Sequence, residues 1–228
     1  MKCFIKINFA LFLSSILFCV NIFAQNSTES KPQYLYNPNY TLELDKYRTY
    51  MMKQADIVML GNSITHGINW NELIDRTSIS EQGIPSDITE GVLNRLEYVY
   101  KLNPKICFIM IGVNDVFSWI PIETIFVNYK LLIENLKAKN IIPVIQSILY
   151  AGNATPNAEN RNIEISKLNQ LLFDYAKENK IEFINLNKKM SASNFLKAEL
   201  TIDGIHLNGE GFKIWSREVD KVLRKFSL

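Results

Sequence analysis

The chain reads as an α/β protein with a five-stranded parallel sheet wound with helices on both sides. Three observations predict this. Continuous apolar runs of strand length end at turn residues, as strands buried on both faces do. Amphipathic helical segments alternate with them. No internal repeat or linker interrupts the 228 residues, 47% of them hydrophobic and 21% charged, so one domain holds the core.

The first residues stand apart. Lys2 and Lys6 precede an apolar run from Ile7 to Phe23 that ends at Ala24-Gln25, the pattern of a secretory signal. An uncleaved anchor is the alternative, since about 20 apolar residues can span a bilayer. Asn8, Ser14, Ser15 and Asn21 weaken the run and favour cleavage after residue 24. The expected product is an exported protein, periplasmic or secreted, comprising residues 25–228 with no stable membrane span. Removing two lysines and no acid takes the formal charge from +2 to zero, and no basic patch points to nucleic acid. Cys3 and Cys19 leave with the signal. Cys107 remains alone in an apolar strand, a buried hydrophobe without a disulfide partner.

Residues 25–45, polar and tyrosine-rich with Pro32 and Pro38, read as an extended lead-in, and Tyr47–Gln54 as a short helix. The first strand is Ile57 to Leu60, stopped by Gly61. Thr65 to Ile74 forms a short helix or loop, and Ile79 to Gly83 the second strand. Ser86 or Asp87 caps a helix whose face carries Val92, Leu93, Leu96, Val99 and Tyr100. Ile106 to Ile111 is the third strand. Pro121 opens an amphipathic helix through Ile125, Tyr129, Leu132, Ile133 and Leu136. The fourth strand is 141–149, followed by a loop over 151–160 and a helix over 162–180. The fifth strand is 181–186, 188–200 is irregular, and a closing helix spans 211–226.

Ser63 falls just past the first strand, on the edge where open α/β sheets bind ligands. On its own it reads first as a helix N-cap, a common role for serine. The chain has two histidines, His66 and His206. Asp203 and His206 stand three apart across Gly204, a spacing that lets a carboxylate orient an imidazole, or simply form a local turn. Oxyanion donors are available at strand ends: the N–H of Ser63, the N–H of Gly83 and the amide of Asn114. Gly83 could instead be only a turn and Asn114 only a cap. In a parallel sheet all these strand ends share one edge.

Four blocks, Gly61-Asn62-Ser63-Ile64-Thr65, Gln82-Gly83-Ile84, Gly112-Val113-Asn114-Asp115 and Asp203-Gly204-Ile205-His206, occur in order between about Asp56 and Phe212. Together they resemble the SGNH or GDSL-type hydrolases, serine esterases and lipases. The resemblance implies a flavodoxin-like three-layer α/β/α sandwich and a cofactor-independent mechanism. It makes Ser63 the nucleophile, His206 the general base and acid, and Asp203 its orienting partner. Ser63, Gly83 and Asn114 would form the oxyanion hole. Asn62 departs from the aspartate often found before the serine. By the same resemblance, short-chain esters are the expected substrates, above all O-acetyl groups on sialic acid or polysaccharide. A lysophospholipase or thioesterase and a catalytically silent glycan-binding domain are the alternatives. His66, Trp70 and Trp119 are candidate pocket residues, although packing under the adjoining helices would explain them too. No histidine or cysteine spacing suggests a metal.

Overall fold

In the computed structural model, which describes residues 30–228, five strands form one parallel sheet. They are β1 (Ile57–Gly61), β2 (Ile79–Gly83), β3 (Ile106–Met110), β4 (Ile142–Gln146) and β5 (Glu182–Ile184), in the spatial order β2-β1-β3-β4-β5. Every residue of β1 and β3 is buried. Continuous apolar runs thus occupy the positions covered on both faces, where each large aliphatic side chain contributes about 1.5–3 kcal/mol. Registers pair Gly61 with Gly83 on one side and with Met110 on the other.

Nine helices are described: α1 (Pro38–Thr49), α2 (Trp70–Ile74), α3 (Thr89–Leu93), α4 (Leu96–Tyr100), α5 (Val113–Phe117), α6 (Ile122–Ala138), α7 (Ala158–Glu178), α8 (Asn187–Met190) and α9 (Gly209–Lys225). The chain steps from β1 to β2 in one direction and then runs β3, β4, β5 in the other. With right-handed crossovers this puts α2 on one face and α3, α6 and α7 on the opposite face. Contacts agree: α6 lies against α3 and α7, whereas α9 returns to pack on α2. The reversal makes the gap between β1 and β3 the topological switch point, where ligands bind beyond the strand ends. Ser63 and Asn114 emerge on its two sides.

Several boundaries differ from expectation. The signal over 1–24 lies outside the described residues. In the described part of 25–45, helix stands in place of the expected extended lead-in: a 3-10 turn at Gln33–Tyr36 leads into α1. Pro38 is its first residue and Asn37 caps it by accepting the Asn39 N–H, so that proline starts a helix rather than excluding one. Tyr40, Glu43 and Tyr47 form its buried face, and residues 50–54 have no regular structure, in place of a helix over 47–54. The helix expected after Asp87 is broken into α3 and α4 at Asn94-Arg95, and α7 starts at Ala158, inside the expected loop. The stretch 188–200 contains the hairpin strands β6 (Ser191–Ala192) and β7 (Phe195–Leu196), joined through Ser193 and Asn194, both at positive φ as a type I′ turn requires.

Candidate active site

The turn after β1 depends on a missing side chain. A Cβ on Gly61 would lie 2.2 Å from Thr65 Oγ1 and 2.5 Å from the Met110 carbonyl oxygen. Thr65 and the end of β3 can therefore approach this position so closely only because it is glycine. Asn62 braces the bend: its carbonyl accepts the N–H groups of Thr65 and His66 at 3.1 and 3.0 Å, and its Oδ1 accepts the Ile64 N–H at 3.0 Å. An amide oxygen serves this acceptor role as a carboxylate would, so Asn62 maintains the turn. The Ser63 N–H has no partner among the described residues.

Asp203 folds the next loop around itself. Its Oδ1 accepts the N–H groups of Ile205 and His206 at 2.9 and 2.7 Å, and its Oδ2 stands 2.6 Å from His206 Nδ1. The other ring nitrogen, Nε2, lies 2.9 Å from Ser63 Oγ. Partial burial works to raise the Asp203 carboxyl. The His206 N–H, the imidazole and the Ile205 N–H outweigh it and hold the carboxyl at about 2. Asp203 is therefore ionised at neutral pH and fixes the imidazole with Nδ1–H donating to it, leaving Nε2 free to accept from the serine hydroxyl. The loop is anchored by Gly152, whose N–H donates to the Gly204 carbonyl at 2.7 Å.

Asn114 reaches the same edge on α5, with Nδ2 donating one hydrogen to the Asp87 carbonyl at 2.8 Å. Its second amide hydrogen remains available. Gly83 is at the same edge by register with Gly61, but its N–H donates to Glu81 Oε1. The expected oxyanion donor at Gly83 is thus already engaged, because Glu81 lies on the same side of the strand two residues before it. Immediately past β2, a turn from Ile84 to Asp87 places Pro85 and Ser86 at its corner, closed by Asp87 N–H to Ile84 O at 3.1 Å. Ser86 has φ +61°, and its N–H has no partner among the described residues.

The other candidates divide. Trp70 is not at the site: it is buried edge-on against Trp215, with Nε1 donating to the Thr65 carbonyl. Its face of α2 packs on α9, and this core contact explains the residue. His66 is half-buried beside the Ser63 turn, with Nδ1 3.5 Å from Glu81 Oε2, and that carboxylate raises its pKa. Trp119 is exposed on the loop after α5, its ring 3.2 Å from the Arg161 guanidinium carbon.

Sequence reasoning missed the buried pair beneath the turn. Arg95 and Asp87 are both fully buried, with Nε 2.8 Å from Oδ2. Arg95 Nη1 donates to the Gln82 carbonyl at 3.0 Å and Nη2 to the Gly61 carbonyl at 2.9 Å. One guanidinium therefore ties together the ends of β1 and β2. Its signal was an arginine three residues from Val92 on an otherwise apolar face. Asp115 was missed too: its carboxylate accepts the Thr89 N–H at 3.0 Å and so joins α5 to the start of α3. Burial raises its pKa to about 6 against the Thr89 hydrogen bonds. Among the described residues no group of three or more His, Cys, Asp or Glu is placed to hold a metal ion.

Known proteins share this fold. The chain is 27% identical to a GDSL-like lipase from Bacteroides thetaiotaomicron, with TM-score 0.72 over 82% of this chain and 98% of that one. It also superposes on an acetylxylan esterase from Geobacillus stearothermophilus, at 17% identity and TM-score 0.60 over 78% and 97% of the two chains, a likeness of fold. Over 165 residues, 72% of this chain, it is 30% identical to an N-acylneuraminate cytidylyltransferase of Streptococcus agalactiae; the match spans only 38% of that relative's length. The family model for GDSL-like lipases and acylhydrolases covers residues 59–214, from within β1 into α9, and so takes in every strand end described above except those before Met59. By that match, the chain belongs to the GDSL-like lipase/acylhydrolase family.

Proposed function

We propose that this acylhydrolase is a serine esterase acting on short-chain esters, chiefly O-acetyl groups on carbohydrates. The observation that carries the reading is the linear relay Ser63 Oγ, His206 Nε2, His206 Nδ1, Asp203 Oδ2, with contacts of 2.9 and 2.6 Å. His206 takes the hydroxyl proton as Ser63 attacks the ester carbonyl, then gives it to the departing alcohol. Water, deprotonated by the same nitrogen, cleaves the acyl-enzyme. The oxyanion is received by the Ser63 N–H, the free hydrogen of the Asn114 amide and, in place of Gly83, the Ser86 N–H. The last assignment is supported by the unpartnered Ser86 N–H next to Asp87, whose carbonyl holds Asn114.

The carbohydrate part draws on the relative named for N-acylneuraminate and on the export signal expected at 1–24. Export through that signal is part of the proposal, and N-terminal sequencing of the protein from the cell exterior would test it. The enzymatic reading is tested by hydrolysis of p-nitrophenyl esters from acetate to octanoate, with Ser63→Ala as control. Turnover confined to short chains and abolished by the substitution is expected. A folded wild-type protein inert on every ester would overturn it.

A further inference from the structure

Arg161, in the first turn of α7, is 6% exposed, and among the described residues no carboxylate lies within ion-pair distance of it. This sets it apart from Arg95, which is fully buried but paired with Asp87. Nη1 donates to the Val116 carbonyl, and Nε is buried without a partner. Trp119 lies over the guanidinium at 3.2 Å, with the Phe117 ring 5.3 Å away. A buried guanidinium with no counter-charge is costly, and burial alone lowers its pKa. Trp119 adds a second cost: it holds φ +56° while 62% exposed, a conformation unfavourable to a bulky residue. The two costs, an unpaired buried charge and a strained backbone, fall at one place.

That place adjoins the relay. Val116, which Arg161 grips, is two residues from Asn114 on α5. On the other side, the neighbouring Asn162 holds both the N–H and the carbonyl of Ala151, and the next residue, Gly152, donates to Gly204 in the Asp203–His206 loop. Arg161 thus stands between the oxyanion element and the histidine element, on the ligand-binding edge of the sheet.

Taking the esterase reading as its basis, we propose that Arg161, roofed by Trp119, binds the carboxylate of an acidic sugar whose O-acyl group is presented to Ser63. A carboxylate matches the planar guanidinium fork, and the indole limits the water that would screen the pair. The substrate class is therefore an O-acetylated sugar acid rather than a neutral acetylated glycan.

The test compares O-acetylated N-acetylneuraminic acid and O-acetylated glucuronic acid with the same sugars as carboxamides, which keep the shape and lose the charge, and uses p-nitrophenyl acetate as a neutral reference. Wild-type enzyme should cleave at least one acid with kcat/KM tenfold or more above its amide. Arg161→Gln should abolish that preference through KM, with hydrolysis of p-nitrophenyl acetate within about threefold of wild type. Trp119→Ala, at an exposed position that keeps the fold, should raise KM for the acid severalfold and leave the amide unchanged. Equal cleavage of acid and amide by the wild type, or equal losses on acid and neutral ester in both variants, overturns the subsite while leaving the esterase reading intact. Absence of any Ser63-dependent hydrolysis, p-nitrophenyl acetate included, overturns both.

Discussion

Arg95 Nη2 donates to the carbonyl oxygen of Gly61 at 2.9 Å, so a buried charge holds the strand end from which the Ser63 turn departs. The same guanidinium binds Gln82 O and Asp87, and Asp87 in turn presents its carbonyl to Asn114. The serine turn, the Pro85-Ser86 turn and the Asn114 amide are thereby fixed to one group. Removing one member of a buried pair leaves the other uncompensated, which costs about 3–5 kcal/mol. Arg95→Met is predicted to destabilise the protein by that amount in urea unfolding. A midpoint equal to wild type at an unchanged denaturant slope would show that the pair does not anchor the site.

The relay gives a second prediction. Asp203→Asn removes the acceptor that sets the imidazole tautomer, and kcat for p-nitrophenyl acetate should fall about a thousand- to ten-thousandfold with little change in KM. The Asp203 carboxyl, held at about 2 against an ordinary 3.8, is lowered by folding. Its contribution to stability is present above pH 3.8 and disappears as pH falls towards 2, so its protonation plays no part in activity at pH 5 or above. Rates at pH 5–9 and circular dichroism of the variant separate loss of chemistry from loss of fold.

The parts legible from the sequence were those governed by local rules. Continuous apolar runs specified β1 and β3, and the Asp203-Gly204-Ile205-His206 spacing produced the self-bonded turn. What escaped depended on contacts between distant elements. Pro38 could be recognised as a helix start only once Tyr40 and Tyr47 had a surface to bury against: their hydroxyls donate to Gly91 and Gly83, far along the chain. Trp70 looked like a pocket residue because it follows the serine closely, yet its rotation on α2 is set by Trp215, 145 positions later. Gly83 carried the expected residue type, but the side chain of Glu81 had already taken its N–H.

Glu81 and Ser86 separate the two possible oxyanion donors. Glu81→Ala frees the Gly83 N–H and removes the group that raises the His66 pKa. If Ser86 is the donor, that variant should keep kcat within about threefold. Ser86→Gly relieves the left-handed strain and should stabilise the protein by about 1 kcal/mol with activity retained, because a glycine N–H occupies the same place. Asn114→Ala should lower kcat about a hundred- to a thousandfold. Thermal unfolding and steady-state rates check all three variants; a large kcat gain in Glu81→Ala would return the role to Gly83.

Asp115 predicts a pH dependence of opposite sign to that of Asp203. Burial raises its carboxyl from 3.8 to about 6, so the folded protein retains a proton that the unfolded chain releases in this range. Between pH 3.8 and 6 the folded state binds more protons than the unfolded state, and this group's contribution to stability falls as pH rises. Above pH 6 the loss is complete, at about 3 kcal/mol. In Asp115→Asn the neutral amide can still accept the Thr89 N–H, so the variant should lose this slope and gain stability relative to wild type as pH rises from 4 to 6.5. Urea midpoints measured across that range for the two proteins give the comparison; parallel curves would mean that Asp115 is ionised in the folded state and that Thr89 alone compensates its burial.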